Sequence, residues 1–234
     1  MCSYKGDRIT VTYRNDYKGD YILLREPYCL RCAYPGVTTA TCSWHWDDYG
    51  FERIYAMGAY LSPDTPEGRN DFLSNHIRGL KKYPRYATPL GLGLVECIRG
   101  RYPELLKMDL IVPIPLFDTE LKVSRDPVGI VYNQSVELSK EISKGVNILY
   151  TEVLEKTREQ KMKDLTARAQ RKEAVKGLYR IRSGERKISG KKILLIDDVS
   201  TSGATASECS QVLINAGAEI VNVLVAGRDI IVGV

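Results

Sequence analysis

The sequence predicts an α/β protein built on a parallel β-sheet with helices on both faces. Three observations carry that prediction. Ile193-Leu194-Leu195-Ile196 is apolar at every position, as a strand covered on both faces must be. A polar loop, a helical pattern from Thr205 to Ala216 and a second apolar strand, Ile220 to Val225, come next. Leu110-Ile111-Val112, closed by Pro113-Ile114-Pro115, precedes another helix, so strand and helix alternate through the second half of the chain.

Taken in order, Ile9 to Leu24 alternates loosely and is rich in Tyr and Thr, a short β-rich lead-in. Tyr28 to Asp48 turns abruptly to Cys, Trp, Thr, Pro and Gly without apolar periodicity, a small knuckle held by something other than a core. Phe51 to Leu61 reads as a strand and Ser62 to Pro66 as a loop. Asp71 to Tyr83 places Phe72, Ile77 and Leu80 at near-helical spacing, with Arg78, Lys81 and Lys82 at the end where cations suit a helix. His76 reads as a surface residue of that helix, with no role. Pro89 opens a helix through Leu90, Leu94, Val95 and Ile98; Cys97 on its apolar face, like Cys209 further on, is a core residue. Asn133 to Lys144 is a helix with Val136 and Ile142 inward. Glu155 to Lys176 is densely charged, either a solvated helix or a mobile loop.

Composition sets outer bounds. The 234 residues are 44% hydrophobic and 27% charged, which argues against disorder and fibrous repeats. Lys and Arg exceed Asp and Glu by 34 − 29 = +5, compatible with phosphate-bearing ligands or nucleic acid without choosing between them. No apolar run approaches the roughly 18 residues of a membrane span, and Met1 to Asp7 is no signal peptide, so a cytoplasmic protein without a membrane partner is expected. Scarce Gln beside plentiful Lys, Arg, Ile and Tyr is a weak thermophile signature, which makes intracellular disulfides more credible.

Chemistry concentrates between Ile193 and Thr205. An apolar strand ends in Asp197 and Asp198, then enters Val199-Ser200-Thr201-Ser202-Gly203-Ala204-Thr205 before a helix. The carboxyl end of a strand is where ligands dock in an open α/β sheet. Small hydroxylated residues and Gly203 let backbone N–H groups approach a phosphate, and the following helix directs its unpaired N–H groups there. Two adjacent carboxylates can accept hydrogen bonds from a vicinal diol such as a ribose. The loop lacks the Gly-Lys-Ser/Thr end of a Walker loop and the three spaced glycines of a dinucleotide fingerprint.

Asp197 to Thr205 resembles the signature for 5-phosphoribosyl 1-diphosphate (PRPP) of type I phosphoribosyltransferases. The resemblance extends, over about residues 28 to 228, to the competence-associated ComF type. It rests on an N-terminal cysteine knuckle, Gly79-Leu80-Lys81-Lys82-Tyr83, Val112-Pro113-Ile114-Pro115, Asn133-Gln134, Thr157-Arg158-Glu159-Gln160, and then Arg171, Val175, Gly177 and Tyr179. It implies a type I phosphoribosyltransferase fold over 109–234, a hood over 51–108 and a β lead-in with a zinc knuckle over 1–50. It further implies that Asp197 and Asp198 hold the ribose hydroxyls, that Ser200, Thr201, Ser202, Gly203, Ala204 and Thr205 form the phosphate-binding loop, and that the turn ending in Pro115 takes the diphosphate with Mg²⁺. The charged stretch is then a lid, with Arg158, Lys161 and Arg168 as cations over the leaving group. The implied partners are PRPP and a nitrogenous acceptor, a purine or pyrimidine base among the candidates, and dimers are common in the family. The chain departs from the family at Ile130-Val131-Tyr132, where Arg-Gly-Phe is usual, with Arg125 as the nearby substitute cation. Ala174 stands for Asn, and Gln160 to Arg171 is longer by about one helical turn. A PRPP-sensing regulator or a DNA-uptake accessory protein is the rival to a transferase.

Cys29-x-x-Cys32 and Cys42-x-x-His45 are two chelating turns nine residues apart, a pattern that suits tetrahedral Zn²⁺ with three thiolates and one imidazole. The family more often has a second Cys-x-x-Cys pair, with Cys2 the less favoured substitute for His45. Reduced buried thiols and a Cys29–Cys32 disulfide are the alternatives. Trp44 and Trp46 flank His45, either covering the metal module or stacking on nucleic-acid bases.

Overall fold

The computed structural model describes residues 7–12, 18–23, 27–43, 48–160, 168–183 and 188–230. Strands β1 (Asp7–Thr12) and β2 (Lys18–Leu23) form an antiparallel hairpin, and β2 meets β3 (Ile54–Tyr60) at Leu23 and Gly58. Helices α1 (Pro66–Asn70) and α2 (Phe72–Leu80) begin at Thr65 and Asp71, whose side chains accept from the N–H groups of Gly68 and Ser74. Helix α3 (Ala87–Gly100) leads to β4 (Leu110–Pro113) and the small hairpin β5 (Lys122–Val123) and β6 (Val131–Tyr132). Helix α4 (Gln134–Val146) is capped by Asn133 and stops at Asn147 in the left-handed conformation; β7 (Leu149–Tyr150) follows. The charged stretch is described at its two ends, β8 (Leu154–Lys156) and α5 (Arg168–Val175), and β9 (Tyr179–Ile181) pairs with β8. Strand β10 (Lys192–Ser200), helix α6 (Ala204–Asn215) and β11 (Ile220–Asp229) complete the described chain.

The main sheet has the order β1-β2-β3-β11-β10-β4-β7, and β3, β11, β10, β4 and β7 run parallel. Successive residues of β10 face opposite sides, as the pleat demands. Ile193 and Leu195 join one buried cluster with Val223, Val112 and the α6 residues Cys209 and Leu213. Leu194 and Ile196 join the other with Ile77 of α2 and with Leu90, Leu94, Ile98, Leu138 and Ile142 from α3 and α4. Each such side chain contributes on the order of 1.5–3 kcal/mol by leaving water. The α/β expectation holds, and β10 and β11 run beyond the apolar cores of Ile193–Ile196 and Ile220–Val225.

Several local expectations change. His76 is buried between Phe72 and Tyr86, its ring nitrogen 3.0 Å from the Phe72 carbonyl oxygen, rather than on the helix surface; burial holds its pKa down. Leu138 joins Ile142 in the core, while Val136 is only partly covered. The knuckle shares the main core: Cys29, Cys32, Ala33 and Tyr49 are buried in the cluster that contains Ile193 and Val223. Strand β3, inside the 51–108 stretch, is an integral strand of the sheet.

Pairing places the site. Strand β4 stays beside β10 only as far as Pro113 and Ile196, with the Ile114 N–H donating to the Ile196 carbonyl at 3.0 Å, whereas β11 accompanies β10 to Ser200. Asp197 and Asp198 therefore begin where one flank of β10 opens, the crevice in which parallel sheets take ligands.

Candidate active site

Asp197 lies at the opening. Its Oδ1 receives the Asp198 N–H at 2.9 Å and the Ser135 hydroxyl, from the first turn of α4, at 3.0 Å. Burial is the main cause that pushes its pKa up, to about 7; the Asp198 charge adds to the rise, while the two hydrogen bonds and the Lys81 ammonium oppose it. Asp198 turns the other way, with Lys81 Nζ 3.5 Å from its Oδ2. Lys81 sits just past α2 and near the Tyr60 ring, and the Asp198 carboxylate is the main reason its pKa is raised. Two carboxylates and one ammonium thus converge from β10 and α2, and Ser135 joins them from α4.

The loop beyond is held by its carbonyls. Gly203 adopts φ +79°, and a Cβ there would lie 3.2 Å from the Tyr49 hydroxyl, so both backbone conformation and space call for glycine. The Ser202 Oγ accepts the Ala204 N–H at 3.3 Å, and Tyr49 donates to the Ser202 carbonyl at 2.9 Å. Arg228 of β11, only 1% exposed, donates through Nη1 to the Ser200 carbonyl at 2.8 Å and to the Thr201 carbonyl, and through Nε to the Cys32 carbonyl at 2.8 Å. A trans peptide sets each C=O opposite the next N–H. Carbonyls of Ser200, Thr201 and Ser202 drawn to the side of Arg228 and Tyr49 consequently turn the N–H groups of Thr201, Ser202 and Gly203 to the opposite side, where an anion can be met. The Ser200 hydroxyl, 5% exposed as a residue, has no hydrogen-bond partner among the described residues, and Thr201 donates to Asp229 at 3.0 Å. Thr205 reaches Tyr179 from the first turn of α6.

Beside this lies the turn after β4. Asn133 Nδ2 donates to the Ile114 carbonyl at 2.9 Å, which ties the start of α4 to the Pro113-Ile114-Pro115 turn. Further on, Glu120 and Lys156 make a largely buried ion pair at 2.6 Å, and Glu120 also accepts from the N–H groups of Phe117 and Gln160. Burial alone would raise the Glu120 pKa, yet Lys156 and those N–H donors hold it below the ordinary range. The segment carrying Arg158 is thereby fixed next to the post-β4 turn. Arg158 and Arg125 are both exposed; the Arg125 N–H donates to the Lys82 carbonyl at 2.9 Å. Lys161 lies outside the described residues, as does the side chain of Arg168.

In the knuckle, the sulfur atoms of Cys29, Cys32 and Cys42 all lie within 4.8 Å of one another, and those of Cys32 and Cys42 are 3.7 Å apart. Tetrahedral thiolates at about 2.3 Å from Zn²⁺ would be separated by about 3.8 Å, so the donor set fits that ion. The Cys29–Cys32 disulfide is not formed. The turn closes through Ala33 in the left-handed conformation, φ +57°, with its N–H bonded to the Cys29 carbonyl. His45, Trp44, Trp46 and Cys2 lie outside the described residues.

Sequence reasoning assigns no site role to Lys81, Ser135, Tyr49, Glu120 or Arg228. The usable signal for Arg228 is a charge that ends the apolar run Val223-Leu224-Val225-Ala226-Gly227; for Lys81 it is the basic end of α2, and the others offer none.

With this geometry, residues 128–229 match the phosphoribosyl transferase domain family. The matched stretch contains α4, β10, the loop, α6 and β11, while β3 and β4 of the same sheet precede it. Among solved structures the chain is similar to glutamine phosphoribosylpyrophosphate amidotransferase from B. subtilis, at 17% identity and TM-score 0.39 over 60% of this chain and 26% of that one. It is likewise similar to a purine phosphoribosyltransferase from Pyrococcus horikoshii (14%, TM-score 0.36, 61% of this chain and 82% of that one). A third is adenine phosphoribosyltransferase from Leishmania tarentolae (16%, TM-score 0.36, 72% and 90%). This chain spans about a quarter of the length of the amidotransferase. No curated protein sequence matches it. Among the described residues, no helix is long and apolar enough to cross a membrane.

Proposed function

We propose that the protein is a ComF-type phosphoribosyltransferase that binds PRPP with Mg²⁺ and passes ribose 5-phosphate to a nitrogenous acceptor, releasing diphosphate. The observation that carries this reading is the pairing of Asp197 and Asp198 at the open carboxyl end of β10, directly before a loop whose carbonyls are drawn back from the site. In this reading the two carboxylates accept the ribose hydroxyls, and the N–H groups of Thr201, Ser202 and Gly203 with the start of α6 take the 5′-phosphate. The Pro113–Pro115 turn faces the diphosphate, with Lys81, Arg125, Arg158 and Lys161 as the cations available to it. The bond from C1 to the diphosphate oxygen breaks as a C1–N bond forms, through an oxocarbenium-like state; the acceptor nitrogen gives up its proton. The residues contribute position, charge neutralisation and exclusion of water.

The two hard carboxylates of Asp197 and Asp198 suit a cation that keeps its waters and shares phosphate oxygens, which is the habit of Mg²⁺. Bound there, it would offset the charge of the leaving diphosphate. Zn²⁺ in the knuckle, with His45 as fourth ligand, would be structural. The 51–108 stretch, with Lys81 against Asp198 and over the Tyr60 ring, is the segment from which an acceptor hood would come.

Calorimetric titration of PRPP with Mg²⁺ tests the reading. Micromolar binding, about 8 kcal/mol, that the Asp197→Asn, Asp198→Asn double variant abolishes is the expected result. Diphosphate release on adding a purine or pyrimidine base then separates a transferase from a PRPP sensor. Absence of PRPP binding in the native protein would overturn the proposal and turn attention to DNA and the knuckle.

A further inference from the structure

Arg228 is an expensive residue to bury. It is 1% exposed at the end of the apolar run Val223 to Gly227 in β11, and its hydrogen bonds run to four main-chain carbonyls: Cys32, Ser200, Thr201 and Asp229. A buried cation without such partners would cost several kcal/mol, so the planar guanidinium fork is matched to this set of acceptors. Three of the four belong to two segments far apart in sequence: Cys32 is the middle thiol of the knuckle, and Ser200 and Thr201 begin the phosphate loop. Tyr49, from the same knuckle region, holds the next carbonyl, that of Ser202. One side of the loop is thus built from the knuckle, and the peptide planes it fixes aim the opposite N–H groups.

We infer that Arg228 is a positioning residue that couples metal binding at Cys29, Cys32 and Cys42 to the affinity of the phosphate loop for PRPP. Ligation at the Cys32 sulfur fixes the turn that carries the Cys32 carbonyl; that carbonyl holds one edge of the guanidinium, and the other edge holds the loop. The inference rests on the reading of the loop as the PRPP site.

The test compares the whole zinc-loaded chain with the same protein stripped by a zinc-selective chelator. PRPP with Mg²⁺ is titrated into both, and zinc affinity is measured against a chromophoric chelator with and without PRPP. In the native protein, zinc removal weakens PRPP binding at least tenfold, and PRPP tightens zinc by the same factor, as linkage requires. Arg228→Met, with its far-UV spectrum retained, binds PRPP equally weakly with and without zinc. If Arg228→Met fails to fold, Tyr49→Phe, which removes one hydroxyl, carries the test: the coupling factor falls while zinc affinity without PRPP stays unchanged. A merely structural Arg228 would lower stability and leave the coupling factor intact. Native PRPP binding that ignores zinc, or a protein that takes up no zinc, overturns the coupling and leaves the PRPP reading standing. Absence of PRPP binding in the zinc-loaded protein overturns the PRPP reading itself, and the coupling with it.

Discussion

Asp197 holds a carboxylate where burial and the neighbouring Asp198 both oppose its charge, and its pKa rises from 3.8 to about 7 as a result. Between those values the folded protein keeps a proton on Asp197 that the unfolded chain has lost, so this group's contribution to stability grows as pH falls from about 7 toward 3.8 and is lowest above 7. Asp197→Asn keeps an oxygen for the Asp198 N–H and the Ser135 hydroxyl while removing the charge. It should stabilise the fold at pH 8 by on the order of 2 kcal/mol and make little difference near pH 4, read as chemical unfolding at both pH values. Ligand binding should show the opposite preference. If the ionised acid accepts the ribose hydroxyls, PRPP binding below pH 7 releases a proton, visible as a dependence of calorimetric heat on the buffer's ionisation enthalpy. Stabilisation by Asp197→Asn together with lost binding would mark a residue kept at a cost to the fold.

At the level of elements, the strand-loop-helix from β10 to α6 was legible in sequence because each part has a local signature: an unbroken apolar strand, two acids at its end, a hydroxylated turn, a glycine. The same holds for β4 with its proline stop and for α4 with its Asn133 cap. What could not be read was which distant elements complete the site. Lys81 and Ser135 reach the acids because α2 and α4 lie on one face of the sheet; Tyr49 reaches the loop because the knuckle lies on the other, and Arg228 because β11 pairs with β10 as far as Ser200. Those are matters of topology, which no local pattern encodes. Two tests belong here. Gly203→Ala adds a Cβ at φ +79° and against Tyr49, which should lower stability by about 1–2 kcal/mol, shift Tm by roughly 3–6 °C and weaken PRPP binding at least tenfold. Glu120→Gln leaves Lys156, with only 4% of its side chain exposed, facing no carboxylate, and should cost about 3 kcal/mol in urea unfolding. Glu120→Gln combined with Lys156→Met should cost less than Glu120→Gln alone, because the uncompensated charge is gone. A double variant as unstable as the sum of the two would remove the ion pair as the link between the post-β4 turn and the segment at Arg158.

Across the whole molecule, the knuckle raises the question of how separately it folds. Its composition suggests a module with little core of its own, yet Cys29, Cys32, Ala33 and Tyr49 are buried with the strands and α6, and the Arg31 carbonyl receives the Ile54 N–H at the start of β3. Arg53 adds a bond to the Tyr28 hydroxyl at 3.2 Å. A segment that contributes side chains to the central core cannot leave without exposing that core, so its unfolding and that of the sheet should be one event. The chain reports this by itself, since its two tryptophans, Trp44 and Trp46, both lie in the knuckle sequence while the helices and strands dominate far-UV circular dichroism. Thermal unfolding followed by tryptophan fluorescence and by circular dichroism should give coincident transitions, and loading the knuckle thiols with the proposed zinc should shift both up together. A fluorescence transition several degrees below the circular dichroism transition would mean that the knuckle melts as its own unit, and that the contacts through Arg228, Tyr49 and Arg31 are too weak to bind the two parts into one cooperative fold.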